Sequence, residues 1–188
     1  MIIQLCGLSG AGKSTLAGLV KQKLHATGIA TEVIDGDDYR NVLCRDLGFS
    51  KADRFENIRR LGFVASKLSA HGIVAIISAI NPYQEARVEL VHSYENVQTV
   101  FIDCTMQVLT RRDTKGLYKR ALLPDGHPDK ISNLTGVNDP FEIPLHPDLH
   151  IRTSNRKEEN CAAELFSFIR RLYSRSMDTL YADTRLAV

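Results

Sequence analysis

The chain has 188 residues, which fits one domain of the usual ~100–200 and allows a single core to bury roughly 70% of the unfolded surface. Hydrophobic residues at 44% and charged residues at 24% are ordinary globular values and exclude a disordered chain. Lys plus Arg number 24 against 22 Asp plus Glu, a formal charge of +2, which speaks against a strongly basic nucleic-acid binder.

Residues 1–6 form an apolar run that stops at glycines and predict a buried strand. Residues 13–26 place Leu16, Leu19, Val20 and Leu24 on one face, with Gly28 as a stop, and predict a helix. A second strand is expected over 31–34, ending at Asp35. Over 51–71, Phe55, Ile58, Leu61, Ala65 and Leu68 repeat with helical period, and Gly72 ends the pattern. The aliphatic run 73–78 has the character of a central parallel strand covered on both faces. A helix over 83–93 leads to a fourth strand at 97–103, and 149–152 is the fifth. Ala162, Leu165, Phe166, Ile169, Leu172 and Tyr173 then form one helical stripe. Alternating strands and helices imply right-handed crossovers and an α/β class with a parallel sheet.

Residues 122–147 lack periodicity and hold five of the six prolines, which suits a lid or binding loop. After Tyr173 the pattern is lost. We expect a domain over 1–173 and a tail over 174–188, poorly ordered or docked on a partner. The longest apolar run, 73–80, falls far short of the ~20 residues a membrane span needs. No charged stretch precedes the first apolar residues, so no signal peptide is expected. Cys6, Cys44, Cys104 and Cys161 are widely spaced without a C-x-x-C pair, which fits reduced thiols in a cytoplasm. His146 and His150 are four apart, but Pro147 between them argues against a helical zinc face.

Gly7-Leu8-Ser9-Gly10-Ala11-Gly12-Lys13-Ser14, followed by Thr15, fits the phosphate-binding pattern G-x-x-x-x-G-K-[ST]. Glycines let consecutive N–H groups turn inward around phosphate oxygens, and the following helix aims its positive end at the same anion. Lys13 is placed to reach the β- and γ-phosphates, and the Ser14 hydroxyl to ligate magnesium. The pattern predicts a nucleoside triphosphate site. A GTPase switch is disfavoured: Asp113-Thr114-Lys115-Gly116 comes too late for D-x-x-G, and N-K-x-D is absent.

Asp35-Gly36-Asp37 follows the second strand, and ligands gather at the carboxyl ends of parallel strands. These carboxylates suit magnesium and acceptance of a hydroxyl proton, with a plain turn capped by Asp37 or Asp38 as the bland alternative. Asp103 is a rival carboxylate. Arg40, Arg45, Arg54, Arg59 and Arg60 are candidate anion clamps, or simply a solvated face. Phe49 lies in a polar stretch where an aromatic can stack on a base or pack into the core. Residues 111–120 carry five cations, Arg112 and Lys115 among them, as expected of a lid over phosphates or of a solvated helix.

Taken together, GLSGAGKST at 7–15, DGDDYR at 35–40, LGFSKADRFENIRR at 47–60 and RDTKGLY at 112–118 resemble the adenylylsulfate kinases. Asn81-Pro82-Tyr83, Thr135-Gly136 and Asp139-Pro140-Phe141-Glu142 continue the resemblance over roughly 2–172. It implies a three-layer P-loop fold with a five-stranded parallel sheet and a basic lid. It also implies transfer of the γ-phosphoryl group of ATP to the 3′-hydroxyl of adenosine 5′-phosphosulfate (APS), with Mg2+, in a cytoplasmic homodimer. Gly7, Ser9, Gly10, Ala11, Gly12, Lys13, Ser14, Thr15 and Arg112 are thereby expected at ATP. Asp37, Arg40, Phe49, Arg54, Asn57, Ile80, Asn81, Lys115 and Leu134 are expected at the acceptor. Lys13, Asp35 and Asp37 take the chemistry, and Ser14 with Asp35 the metal.

Three positions depart from the pattern. Asn81 stands where many members have serine, so a phosphoserine is excluded there. Leu134 replaces an aromatic, leaving a one-sided clamp with Phe49, and the 119–134 segment is longer than usual. Another P-loop kinase, or a silent nucleotide-binding subunit, remains the alternative reading.

Overall fold

The computed structural model describes residues 1–186, with side chains through residue 176. Five strands, β1 (Ile2–Cys6), β2 (Thr31–Asp35), β3 (Val74–Ser78), β4 (Val97–Asp103) and β5 (Leu149–Arg152), form one sheet in the order β2-β3-β1-β4-β5. Every pairing is parallel, with Ile3 opposite Ile76 and Gln98. Helices α1 (Lys13–Ala26), α2 (Gly36–Val42), α3 (Lys51–Ala70), α4 (Gln84–Ser93), α5 (Met106–Arg112), α6 (Leu117–Ala121) and α7 (Glu158–Leu186) complete the chain.

The sheet is covered on both faces because its central strands are apolar on both. Side chains alternate across a strand, so Ile3 and Leu5 enter one core while Ile2 enters the other. The first core joins Leu16, Val20 and Leu24 of α1 to Leu165 and Ile169 of α7. The second joins Ile58, Leu61 and Ala65 of α3 to Leu90 of α4. Each fully buried side chain of this size contributes about 1.5–3 kcal/mol. The α3–α4 contact depends on Gly62, where a β-carbon would lie 2.2 Å from Leu90 Cδ1.

Local chemistry explains the helix starts. Ser50 and Asp53 form a reciprocal capping box at α3. At α2 the cap is Asp35, whose Oδ1 accepts from the Asp37 N–H at 3.0 Å, and not Asp37 or Asp38. The reason is register: the helix begins one residue after β2 ends, leaving Asp35 as the last extended residue. The 122–147 segment contains no helix or strand, only an isolated bridge between Thr135 and Asp139. Helix α7 runs through Tyr173 without a break to Leu186, while residues 187–188 lie outside the described residues. All four cysteines are buried and free. Among the described residues no helix is long and apolar enough to cross a membrane.

Candidate active site

The carboxyl ends of β1, β2 and β3 open into a cavity of about 560 Å³. Ser9, Gly10, Gly12, Lys13, Ser14 and Thr15 line one end, and Asp35 and Asp37 the middle. Arg40, Phe49, Arg54, Asn57, Ile80 and Asn81 line the other end, with Arg112 and Lys115 at the lid side.

The phosphate end is held by backbone geometry. Gly7 has φ +150 and approaches β4 so closely that a β-carbon would sit 2.2 Å from the Ile102 carbonyl oxygen. Gly12, at φ +101, begins α1 from a left-handed conformation that β-carbon-bearing residues disfavour. Tyr118 Oη donates to the Ser9 carbonyl at 2.8 Å, and Thr153 Oγ1 to the Ala11 carbonyl at 2.9 Å. Burial pushes the Tyr118 phenol up to about 12, so it stays a neutral donor. Gly7 and Ala11 stand behind the loop rather than on the cavity wall.

Lys13 is buried and bends back to donate to the Gly7 and Leu8 carbonyls, both at 2.9 Å. Burial lowers its pKa from 10.5 to about 8, with Asp37 and Asp35 opposing that shift. An incoming anion would restore the charged form.

The two carboxylates divide their partners. Asp35 Oδ2 accepts from Ser14 Oγ at 2.5 Å, and Ser78 Oγ lies 3.1 Å from Ser14 Oγ. This set of hydroxyl and carboxylate oxygens fits a hard divalent cation that keeps several other oxygen ligands. Asp37 instead forms an ion pair with Lys115, reaching across the cavity from the loop before α6. That bond raises the Lys115 pKa.

At the opposite end of the cavity, the Arg40 guanidinium lies 4.6 Å and that of Arg54 5.6 Å from the Phe49 ring centroid. Phe49 is 53% exposed, so part of the ring is open to the cavity. Arg54 is buried, donating to the Phe49 and Asn133 carbonyls and pairing with Asp139 at 2.7 Å. Asn57 and Asn81 are buried with their Oδ1 atoms unpartnered. The other arginines turn elsewhere. Arg59 pairs with Glu89, and Arg60 with Asp46 and Glu56, while Arg45 donates to the Asn41 carbonyl.

Two candidates stand away from the cavity. Leu134 is buried in the first core and absent from the cavity wall, so it does not face Phe49. Its carbonyl accepts the turn bonds from Val137, Asn138 and Asp139, which holds this apolar residue inward. Asp103 points into a neighbouring cleft and bonds His150 Nε2 at 2.9 Å, which removes it from the magnesium side. His146 and His150 build no metal cluster among the described residues.

Ser78, Arg87, Tyr118, Asp139 and Thr153 received no role from the sequence, although Tyr118 and Asp139 stand in motifs that carry the resemblance. Ser78 was visible as the lone hydroxyl in an aliphatic run. Arg87 sits four residues from Tyr83 and three from Leu90 on the inward face of α4, a helical signal for burial. Asp139 has no local signal, since its partner Arg54 lies on a distant helix.

The family model described as adenylylsulphate kinase matches residues 1–152. The adenylyl-sulfate kinase of Chloroflexus aurantiacus is 42% identical over 172 residues, covering 92% of this chain and 90% of that protein. That of Deinococcus deserti is 47% identical over 152 residues, 81% of each chain. Among solved structures, the Mycobacterium tuberculosis APS kinase CysC in complex with AMPPNP and APS superposes with TM-score 0.83 at 38% identity. The match covers 90% of this chain and 96% of that one.

Proposed function

Because the chain belongs to the adenylylsulphate kinase family, we propose that it moves the γ-phosphoryl group of ATP to the 3′-hydroxyl of APS. The products are 3′-phosphoadenosine 5′-phosphosulfate and ADP. The observation that carries this reading is one cavity with a phosphate cradle at one end and an arginine- and asparagine-lined pocket at the other. Asp37 and Lys115 stand between them.

Each residue then has a task. The Gly10 to Thr15 backbone and Lys13 hold the ATP phosphates, and Arg112 lines the same end. Ser14 and Asp35 would hold a magnesium ion, which would supply charge neutralisation at the phosphates. Asp37 releases Lys115, accepts the proton of the attacking hydroxyl and leaves the ammonium free for the transferring group. Phe49 stacks on the acceptor base, while Arg40, Arg54 and Asn57 supply donors and the Ile80–Asn81 backbone shapes the wall.

The protein acts in the cytoplasm as a homodimer, with residues 1–173 as the catalytic unit and 174–188 as an appendage. Sedimentation of the full chain, and the activity of a chain cut after Tyr173, check those two statements. The central test is incubation with ATP, magnesium and a panel of hydroxylated acceptors. APS should be the acceptor phosphorylated. Preference for a sugar, a sugar acid or another nucleotide would overturn the substrate, and no turnover with any acceptor would favour a silent subunit.

A further inference from the structure

Arg87 is the largest of the fully buried side chains, 1% exposed, and it does not line the cavity. A buried guanidinium is costly unless its donors are used. Its Nη1 donates to the Asn81 carbonyl at 2.7 Å. Its Nη2 donates to Gln84 Oε1 at 2.8 Å and to the Glu142 carbonyl at 2.7 Å, while its buried Nε has no partner. One planar group thus joins the exit of β3 to the loop that precedes β5.

Both attachment points lead to the acceptor end. Asn81 lines the cavity at φ +43, a left-handed conformation that asparagine adopts more readily than most residues and that the Arg87 bond to its carbonyl holds in place. Its side chain is held as well: Nδ2 donates to Gln4 Oε1 at 3.0 Å. Gln4 Nε2 in turn donates to the Arg87 carbonyl at 3.1 Å and to Thr99 Oγ1 at 2.9 Å. On the loop side, the Glu142 N–H donates to the Pro82 carbonyl at 2.8 Å, and Glu142 Oε2 accepts from the Gln84 N–H at 2.6 Å. Asp139, three residues before Glu142, carries the pair with Arg54.

The phosphate end has separate braces in Lys13, Tyr118 and Thr153. The two ends are linked by the bond from the Gly7 N–H to the Ile80 carbonyl and by those of Ser14 to Asp35 and Ser78, and Arg87 takes no part in them.

We propose that Arg87 is a positioning residue for the acceptor. It fixes the Asn81 backbone on the cavity wall and, through Glu142, holds Asp139 against Arg54. The inference rests on the acceptor assignment above. A lysine cannot replace it, because a single ammonium does not reproduce the two arms of the fork.

The test compares wild type with Arg87→Met, Arg87→Lys and Glu142→Ala, measuring KM for ATP and for APS separately, together with Tm. In both Arg87 variants the KM for APS should rise about tenfold or more, as for misplacement of a positioning contact, with the KM for ATP within about twofold. Glu142 is exposed, so Glu142→Ala should fold normally and raise the KM for APS by about threefold. A purely structural role would lower Tm and the active fraction while leaving both KM values in place.

An APS KM within twofold of wild type in a folded Arg87 variant would overturn the proposal, as would equal rises in both KM values. If the Arg87 variants do not fold, Gln84→Ala decides, because it removes the one side-chain acceptor of the Arg87 fork: an unchanged APS KM overturns the proposal, and a selective rise supports it. Failure of the acceptor assignment itself is recognised separately, because wild type would then transfer nothing to APS.

Discussion

The two ends of the cavity are built on opposite plans. The phosphate end is one contiguous loop that presents mostly backbone amides, with Lys13 and Ser14 as the side chains proposed to act there. The end proposed for the acceptor is assembled from α2, α3 and the exit of β3, with the 133–142 loop behind it, and its side chains are held by backbone carbonyls and side chains of distant segments. A loop of the first kind fails through loss of charge or through a β-carbon in the wrong place. An end of the second kind fails by degrees, as braces are removed.

The largest expected effect lies in the phosphate end. Lys13→Ala should lower the transfer rate on the order of 10²–10³, the usual loss for one preorganised electrostatic group. Single-turnover rates at saturating ATP check this, and activity within threefold of wild type would show that this loop is not the cradle.

Next comes the acceptor end. Arg54→Ala leaves the half-buried Asp139 without its partner and should cost about 1–3 kcal/mol of stability, between the values for exposed and fully buried pairs. It should also raise the KM for APS with little change in that for ATP, and Asn57→Ala should do the same with a smaller loss of stability. Initial-rate kinetics varying each substrate separate the two. Equal damage to both KM values would dissolve the distinction between the ends.

The pH dependence sharpens the contrast. Lys13 titrates near 8 in the free protein, because burial lowers it from 10.5. Below about 8 it is charged and ready for phosphate, so kcat/KM for ATP should fall tenfold per pH unit above that value. The limb should vanish in Lys13→Arg, whose guanidinium does not deprotonate. The stability sign runs the other way. Between about 8 and 10.5 the unfolded chain binds the extra proton, so this residue adds stability as pH rises through that window.

The smallest effect is expected at Asn81. Asn81→Ser removes the bond to Gln4 and a residue suited to positive φ, yet keeps the carbonyl that Arg87 holds. Activity should change only modestly, and Asn81→Ala should act mainly on the KM for APS. Single-turnover incubation with γ-labelled ATP and no acceptor should leave no label on the protein. Stable, competent labelling would replace direct transfer with a covalent route.

The same contrast explains what could be read in advance. The strands and the phosphate loop were legible because apolar runs and a contiguous motif carry them. The arginines of α3 were not sorted by type, but face would have sorted them. Arg54 shares the inward stripe with Ile58, Leu61 and Ala65, whereas Arg59 and Arg60 point toward Glu89 and Asp46. Leu134 was misplaced because resemblance marks a position in the chain and not the direction its side chain takes in a turn. The Arg54–Asp139 pair was out of reach, since nothing local in either segment names the other.

The strand order has a consequence for how the molecule is made. β1 is synthesised first, yet it is the middle strand, and its neighbours are β3 and β4. The loop that follows β1 rests on the same late arrivals: Gly7 bonds Ile80, and Ser9 and Ala11 are tied to Tyr118 and Thr153. During translation β1 stays unpaired until β3 (Val74–Ser78) has emerged and lacks its second neighbour until β4 (Val97–Asp103) has, while the tie on Ala11 waits for Thr153. Such long-range closure slows folding and prolongs the exposure of β1, which makes the nascent chain a natural client for chaperones. Nucleotide cannot shorten that interval, because its cradle is among the last parts to be completed.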